Sequence, residues 1–254
     1  MGEQKISAIK EIFQAATLSE LPDFVMRYSN DERSAVKELI RKAEKKMNAF
    51  EEEVKRTENM YTYEDEYKMF SYVCGIDEVG RGPLAGPVVA GAVILPKDFR
   101  IYELNDSKKL SEKKREELYD VIMDKAIATG IGYAGPERID EINILNATYE
   151  AMREAIKNLE IQPDILLNDA VTIPLISIKQ IPIIKGDAKS ASIAAASIIA
   201  KVTRDRLMVQ YDEIMPQYGF ASNKGYGAQM HIDALRKYGP SPIHRKSFIK
   251  NFID

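Results

Sequence analysis

One segment, residues 75–87, constrains the fold more than any other part of the chain. Two short apolar runs, residues 72–76 and 88–95, lie on either side of its polar centre. Apolar runs of this length, bounded by glycine and proline, are typical of buried strands. Between the runs stand two adjacent carboxylates, Asp77 and Glu78. The segment therefore predicts two core strands, with an acidic pair where the first strand ends.

Neighbouring side chains of a strand point to opposite faces. Asp77 and Glu78 can therefore share one metal ion only if the strand breaks or bulges near Glu78. Gly80 and Gly82 favour such a bend, and glycine also lets backbone N–H groups approach an anion closely. Arg81, between them, supplies a rigid guanidinium suited to phosphate. A metal site beside an anion site indicates phosphodiester chemistry.

Two other interpretations of this segment stay open at this point. Residues 80–85 fit the G-x-G-x-x-A form of a dinucleotide-binding loop, but such a loop must open a helix, which Pro83 and Pro87 disfavour. The second alternative is a turn in which Asp77 and Glu78 are merely solvated or paired with a lysine. Only further carboxylates elsewhere in the chain decide against that alternative.

The chain beyond residue 95 alternates between helical and strand patterns, which predicts an α/β fold. An alanine- and serine-rich helix at residues 190–201 has side chains small enough to lie close against a sheet. The other predicted helices cover residues 112–128 and about 139–159, and the other predicted strands cover residues 130–134, 163–169 and 180–187.

Two of these later strands also end in an aspartate, Asp169 and Asp187. The functional crevice of an open α/β sheet lies beyond its strand ends, so these two carboxylates can converge with Asp77 and Glu78. Ligands that are all oxygen atoms select Mg²⁺ or Mn²⁺ over Zn²⁺. Two such ions would activate a water molecule and stabilise the leaving oxygen of a phosphodiester.

Charge is distributed unevenly along the chain. The whole sequence has a net charge of −3, but residues 179–254 hold 12 basic and 6 acidic side chains, a local net charge of +6. A local basic surface attracts a polyanion whatever the total charge. On charge alone, a basic face without a partner is an equally good interpretation.

The single cysteine and the hydropathy pattern bear on the compartment. Cys74 lies inside the first predicted strand, which favours an inert core thiol over a nucleophile. No apolar run reaches the roughly 18 residues that a membrane span needs. We therefore expect a cytoplasmic protein without a membrane segment.

Residues 1–70 form a helical pattern that differs from the rest of the chain. In the longest predicted helix, apolar residues recur at alternating spacings of four and three, as in a coiled coil. These residues are Val36, Ile40, Ala43, Met47, Phe50 and Val54. The narrow stripe suits a helical hairpin, a docking arm or a dimer seam. We expect two domains, a helical extension over residues 1–70 and a catalytic domain over residues 71–254, in a monomer.

Four motifs occur in consistent order along residues 71–254: GIDEVGRGPLAGPVVAGAVIL, LNDSKKLS, KGDAKSASIAAASIIAKVTRDR and NKGYG…H…GPSPIHRKSF. Together they resemble bacterial ribonuclease HII, and residues 1–70 lie outside the resemblance. The resemblance implies a ribonuclease H-like fold, a five-stranded mixed sheet flanked by helices. It also implies a two-metal site built from Asp77, Glu78, Asp169 and Asp187.

The implied activity is endonucleolytic. Such enzymes cut the RNA strand of RNA–DNA hybrids and cut 5′ to a single ribonucleotide in duplex DNA, leaving 3′-hydroxyl and 5′-phosphate ends. This activity initiates the removal of ribonucleotides from DNA. A sister enzyme, ribonuclease HIII, cuts hybrids but handles isolated ribonucleotides poorly, and it carries a different residue at the place of Arg81. A non-catalytic hybrid-binding module is a further alternative, although none of the four carboxylates is missing.

The resemblance also implies substrate-binding residues. Gly80, Arg81 and Gly82 resemble the segment that recognises the ribose 2′-hydroxyl, and Tyr226 resembles a tyrosine that senses the RNA–DNA junction. For Tyr226 the alternative is an aromatic ring packed under a glycine turn.

Further residues carry weaker expectations. Ser107, Lys108 and Lys109 resemble phosphate contacts, and solvated lysines are the alternative. His231 and His244 are expected to be structural. The sequence departs from the family pattern at Ala228, which stands where threonine is common, and at Asn168 and Ala170, which flank Asp169. The apolar tail, residues 247–252, is expected to pack into the core.

Overall fold

The computed structural model describes residues 4–253. Residues 1–3 and 254, the outer ends of the two expected domains, lie outside the described residues. The described chain divides into two compact units, the first ending at Glu58 and the second beginning at Asn59. Among residues 4–253, no helix is both long and apolar enough to cross a lipid bilayer.

The first unit is helical and is built from α1 (Ile6–Ala15), α2 (Leu21–Tyr28) and most of α3 (Ser34–Met60). Its core contains Ile9 and Phe24 on the first two helices. Four residues of the seam predicted on α3 contribute to the same core: Val36 and Ala43 are buried, and Ile40 and Met47 are partly buried. This part of the seam therefore packs against the other helices of the first unit.

The second unit contains the remaining helices and all five strands. The short helix α4 (Thr62–Glu66) comes first. The longer helices are α5 (Glu112–Lys125), α6 (Pro136–Lys157) and α7 (Ala191–Ile214). Three further helices follow: α8 (Phe220–Asn223), α9 (Gln229–Tyr238) and α10 (Lys246–Ile249). The strands are β1 (Val73–Val79), β2 (Val88–Ile94), β3 (Ala128–Ala134), β4 (Ile165–Asp169) and β5 (Lys179–Ile183).

The strands form one mixed sheet in the order β3-β2-β1-β4-β5. β2 runs antiparallel to both β1 and β3, whereas β4 runs parallel to both β1 and β5. Helices α6 and α7 pack against the sheet. This arrangement confirms the predicted five-stranded mixed sheet flanked by helices.

Helix α7 lies very close to β1 and β2 because small residues meet at the contact. A Cβ atom on Gly75 would lie 2.1 Å from the carbonyl carbon of Ser192, and one on Gly91 would lie 2.4 Å from the carbonyl oxygen of Ala196. Glycines on the strands therefore let the alanine- and serine-rich start of α7 approach the sheet, as its composition predicts.

Several predicted element boundaries are wrong: α5 ends at Lys125 rather than at residue 128, and α7 continues to Ile214 rather than ending at residue 201. Helix α6 starts earlier than expected and breaks at Asn143, whose φ of 67° is left-handed and whose Oδ1 accepts hydrogen bonds from the backbone N–H groups of Leu145 and Asn146. The predicted strand 180–187 ends at Ile183, so Asp187 lies beyond the strand in a short 3₁₀ turn. That turn follows Lys185, which also has a left-handed backbone.

The C-terminal segment packs into the second unit. Ile249 is buried with Leu84 and Leu235, and Phe248 and Phe252 are partly buried against the same cluster. The core packing expected for the tail is confirmed.

Candidate active site

The acidic pair lies on the central strand of the sheet. Asp77 pairs with Gly91 and Glu78 with Ala90, and the regular register continues to Val79. Pairing with β2 therefore keeps the strand extended through the acidic pair, and the bend that the glycines favour follows directly at Gly80, whose φ is 89°. Asp77 is buried, at 5% exposure, and its Oδ1 accepts a hydrogen bond of 2.8 Å from the Glu78 backbone N–H.

Asp169 and Asp187 are linked by one main-chain contact. Asp169 is the last residue of β4, the strand beside β1, and its Oδ1 accepts a hydrogen bond of 2.7 Å from the backbone N–H of Gly186. Gly186 opens the 3₁₀ turn that contains Asp187. The end of β4 thus fixes the turn that carries the fourth carboxylate.

The carboxylates share an electrostatic environment. Burial, followed by the charges of Glu78 and Asp169, raises the pKa of Asp77 well above its ordinary value. Burial also raises the pKa of Glu78, where the Arg81 guanidinium opposes the shift and the Asp169 charge adds to it. Burial, Asp106 and Asp169 raise the pKa of Asp187. Asp169 is thus the common neighbour that brings all four groups into one electrostatic cluster.

Their chemistry fits a hard divalent cation. Within the described part of the chain, no group of three or more Asp, Glu, His or Cys side chains is already arranged to hold a metal ion. The four donors are nevertheless all carboxylates, and burial, together with repulsion from neighbouring carboxylates, raises the pKa of Asp77, Glu78 and Asp187. A bound divalent cation would offset that repulsion, and oxygen donors are those that Mg²⁺ and Mn²⁺ prefer.

A cleft of about 530 Å³ opens beside Glu78. Seven of the residues singled out in the sequence line it: Glu78, Gly80, Arg81, Gly82, Ser107, Lys108 and Tyr226. Asp77, Asp169 and Asp187 do not line this cleft, and Lys109 is exposed outside it. The fold therefore brings together in one cleft a carboxylate, two basic side chains and the aromatic rings of Tyr226 and Phe248.

The two glycines beside Arg81 have different surroundings. Gly80 has a φ of +89°, and a Cβ atom there would lie 2.3 Å from Nε of the buried Arg204. A Cβ atom on Gly82 would have the ring of Tyr226 as its nearest neighbour, at 3.8 Å. Gly80 is thus required by packing beneath the loop, whereas Gly82 keeps the space in front of Tyr226 open.

Tyr226 faces the cleft more than the core. It is 43% exposed, so its ring is not simply packed under a glycine turn. Its backbone carbonyl contacts Nδ1 of His231 at 2.8 Å, and Nε2 of His231 lies 2.9 Å from Nε2 of His244. The two buried histidines pack in an aromatic cluster with Tyr218 and Phe220, as expected for structural residues.

Sequence reasoning missed two groups at the site. The Ser197 hydroxyl hydrogen-bonds to Asp77 and lies 2.9 Å from the hydroxyl of Ser107, which is itself buried. The charge of Asp106 acts on Asp187. The sequence alone indicates Ser197 only as a small packing residue of α7 and Asp106 only as part of a motif. Because both act across long sequence separations, neither gave a local signal.

The mixed sheet, with acidic groups at the ends of its central strands beside a basic cleft, defines a protein with the ribonuclease H-like fold. More particularly, the chain belongs to the ribonuclease HII family, because the family model described as ribonuclease HII matches residues 74–251. It is therefore a ribonuclease H-type endonuclease, of a class that depends on divalent metal ions.

Individual relatives agree. The chain is 65% identical to ribonuclease HII of Lachnoclostridium phytofermentans over 225 residues, which cover 89% of each protein. It is 52% identical to ribonuclease HII of Clostridioides difficile over 255 residues, with both chains covered completely. The solved structure of the PCNA:RNase HII complex from Archaeoglobus fulgidus includes a chain 27% identical to this one, with a TM-score of 0.59, covering 71% of this chain and 96% of that one.

The N-terminal region also belongs to the family. A model described as the ribonuclease HII N-terminal domain matches residues 5–68. The expectation that residues 1–70 lie outside the family resemblance is therefore wrong.

Proposed function

We propose that this protein cuts the RNA strand of RNA–DNA hybrids and also cuts 5′ to a single ribonucleotide embedded in duplex DNA, leaving 3′-hydroxyl and 5′-phosphate ends. The observation that carries this proposal is the cleft in which Arg81, Gly82 and Tyr226 lie beside Glu78. A single ribose differs from deoxyribose only in its 2′-hydroxyl, so its recognition needs fixed polar groups close to the reacting phosphate. This cleft provides such groups on the loop that contains Arg81 and on the turn that contains Tyr226.

The four carboxylates are the proposed metal ligands. Asp77, Glu78, Asp169 and Asp187 would hold two divalent cations, Mg²⁺ or Mn²⁺, which when bound activate water and stabilise the leaving oxygen. Asp77 and Glu78 are fixed by the central strand, and Asp169 and Asp187 by the bond between Asp169 and Gly186. Such rigid placement suits a site in which small displacements reduce the rate strongly.

The cleft residues supply the binding of the substrate backbone. Lys108 lines the cleft, and its charge acts on both Glu78 and Asp187, which supports a contact between Lys108 and a substrate phosphate near these carboxylates. Arg81 is 3.4 Å from Glu78 through its Nη1 and can exchange this weak contact for a phosphate oxygen. Tyr226 offers an exposed ring on which a sugar or base at the RNA–DNA step can stack. Lys109, outside the cleft, would contact a more distant phosphate.

A direct test compares three labelled duplexes: one with an all-RNA strand, one with a single ribonucleotide in DNA, and one of DNA alone. The proposal expects cleavage of the first two with Mg²⁺ or Mn²⁺. At the single ribonucleotide, the upstream fragment should carry a 3′-hydroxyl that a polymerase extends, and the downstream fragment should begin with the ribonucleotide and carry a 5′-phosphate that a phosphatase removes. Cutting of the all-RNA strand without cutting at the single ribonucleotide would support the ribonuclease HIII-like alternative. Binding without any cleavage in either metal would support the non-catalytic module.

A further inference from the structure

Two arginines are completely buried beneath the loop that contains Arg81. Arg204 of α7 and Arg245, just before α10, are both 0% exposed. Within residues 4–253, neither forms an ion pair with a carboxylate, and their hydrogen bonds go to main-chain carbonyl oxygens. A buried guanidinium without a carboxylate partner is unfavourable unless its donors are satisfied, so these carbonyls are what keep both cations in place.

Arg245 holds both ends of the loop. Its Nη1 donates to the carbonyl of Arg81 at 2.8 Å, and its Nη2 donates to that of Gly80 at 2.5 Å. Its Nε and Nη2 both donate to the carbonyl of Gly86, at 3.0 and 2.8 Å. One planar group thus fixes the distance between the start of the loop and its end.

Arg204 joins the same loop to the turn that presents Tyr226. Its Nε donates to the carbonyl of Pro87 at 2.9 Å and its Nη2 to that of Ala85 at 3.1 Å. Its Nη1 donates to the carbonyl of Lys224, two residues before Tyr226, at 2.9 Å. The guanidinium therefore spans the two segments that face each other across the cleft.

The backbone between these segments is also paired. The N–H of Leu84 donates to the carbonyl of Gly225 at 2.8 Å, and the N–H of Gly86 donates to that of Ile243 at 2.8 Å. The N–H of Arg245 donates back to the carbonyl of Leu84 at 2.9 Å. The loop of residues 80–87, the turn before Tyr226 and the two arginines therefore form one hydrogen-bonded network.

Two glycines of the loop, Gly80 and Gly86, pack directly against the residues of this network. Gly80 lies directly against Arg204, and a Cβ atom on Gly86 would lie 2.5 Å from Sδ of Met208 and 3.3 Å from Nη2 of Arg204. Both glycines have positive φ, at 89° and 85°. A side chain at Gly80 would therefore collide with Arg204, and one at Gly86 would collide with Met208 and crowd Arg204.

Placing two like charges together is unfavourable in itself. Burial, followed by the charge of Arg204, lowers the pKa of Arg245 to about 9. Neutral residues could fill the same volume without this repulsion. The charges lie behind the carbonyls of a loop whose outer side faces the proposed phosphate path, where rigidity and positive potential both favour binding.

We propose that Arg204 and Arg245 are positioning residues that determine selectivity for an isolated ribonucleotide, by fixing the loop of residues 80–87 relative to Tyr226. This inference rests on the proposed function of the cleft. A continuous RNA strand offers many equivalent registers, so a loosened loop still finds a cleavable bond. An embedded ribonucleotide offers only one register, so a loosened loop lowers the rate of cleavage there without an alternative bond to cut.

The experiment uses the full chain with Arg245→Lys and, separately, Arg204→Lys. A lysine keeps the charge, but its single amine cannot reach carbonyls on both ends of the loop. We expect kcat/KM at the single ribonucleotide to fall at least ~10-fold more than kcat/KM on the all-RNA strand, mainly through kcat. The matched control is Arg206→Lys, also on α7, whose guanidinium is half exposed and pairs with Glu116 on the surface. It should leave the ratio of the two substrates unchanged.

A second variant covers the case in which an arginine variant does not fold. Gly86→Ala would crowd Met208 and Arg204 without changing any charge or any of the cleft residues Gly80, Arg81 and Gly82, and it should shift the substrate ratio in the same direction. Equal losses on both substrates, or no loss, in variants with native circular dichroism would overturn the positioning role. If the unmodified protein fails to cut at a single ribonucleotide, the proposed function fails first, and the two failures are thus distinguishable.

Discussion

At the scale of single residues, the site depends on carboxylates that the fold buries beside one another. Asp169 is the central one: burial raises the pKa of Asp77, Glu78 and Asp187, the charge of Asp169 adds to each of these shifts, and its own Oδ1 accepts a hydrogen bond from the backbone N–H of Gly186. The carboxylates and the loop of residues 80–87 are separate parts of the proposed site. Replacing a carboxylate should therefore affect turnover, and replacing a loop residue should affect recognition.

Asp77→Asn tests the first half of this separation. The amide keeps the shape and the neighbouring Ser197 contact but removes a charge from the proposed metal site, so turnover on the all-RNA strand should fall by more than ~100-fold. Affinity for the same duplex, measured by fluorescence anisotropy, should change less than about 3-fold, because Arg81 and Lys108 are intact. A variant that retains full turnover would contradict the metal-binding role of Asp77. Asp98→Asn, a surface change outside the site, is the control.

Gly82→Ala tests the second half. The new methyl group would point towards the ring of Tyr226, whose nearest atom lies 3.8 Å from the Cβ position, so the folded protein has room for it. The free protein should keep its stability within about 0.5 kcal/mol. KM for the single-ribonucleotide duplex should rise, since the methyl group narrows the space between the loop and the ring. Unchanged kinetics on both substrates would show that the substrate does not enter this space.

The two histidines give a pH prediction. Burial, followed by the charge of His231, lowers the pKa of His244 to about 4, and burial also lowers that of His231. A folded-state pKa below the unfolded value means that the unfolded chain takes up protons first, so stability present above pH 6.5 is lost as the pH falls towards 4. The chain has only two histidines, so an NMR titration reads them directly. An imidazole that titrates near pH 6.5 in the folded protein would contradict the prediction.

At the scale of elements, the start of α7 depends on a residue far away in the sequence. Oε1 of Glu64, on α4, accepts hydrogen bonds from the hydroxyls of Ser190 and Ser192 and from the backbone N–H of Ser192. Burial raises the pKa of this carboxylate, and these donors oppose the shift. An acidic acceptor at a helix N-terminus is favourable, so Glu64 stabilises the helix that follows Asp187.

Glu64→Ala should lower the free energy of unfolding by about 2 kcal/mol, because it leaves three buried donors without their acceptor. Glu64→Gln keeps an acceptor oxygen and should lower it by less. Glu66→Ala, on the exposed side of the same short helix, is the control and should stay within about 0.5 kcal/mol. Urea denaturation followed by circular dichroism measures all three. Equal stability of the Ala and Gln variants would argue against the hydrogen bonds as the cause.

At the scale of the whole molecule, the parts that could be predicted are those with local signals. Apolar runs indicated the sheet, and a run of small residues indicated the start of α7. Aspartates at the predicted strand ends indicated the acidic cluster. The extension of β1 to Val79 depends on pairing with β2, and the buried role of Arg245 depends on carbonyls more than 150 residues away in the sequence. The unit boundary falls inside α3, where the helical pattern continues without interruption and gives no sign of it.

That boundary changes how the N-terminal region should be removed. Residues 59–70 carry Glu64 and Tyr61, and Tyr61 is buried in the core of the second unit, where its hydroxyl accepts a hydrogen bond from the backbone N–H of Ile101. A chain that starts at residue 59 keeps these contacts, whereas one that starts at residue 71 loses them. Cutting the chain at the boundary expected from the sequence, residue 70, therefore removes contacts that cutting at the boundary between the two units, residue 58, retains.

We expect the fragment 59–254 to unfold cooperatively as a monomer and to cut the all-RNA strand with a kcat within about 3-fold of the full chain, since every proposed site residue and its supports remain. Its affinity for the hybrid should be weaker if the first unit adds binding. The fragment 71–254 should be less stable by several kcal/mol, because it loses a buried aromatic residue and the acceptor at the start of α7. Sedimentation, thermal unfolding and single-turnover cleavage compare the three chains. Equal stability of the two fragments would show that residues 59–70 do not support the second unit. A full chain that sediments as a dimer, beside a fragment 59–254 that sediments as a monomer, would assign the seam of α3 to dimer assembly.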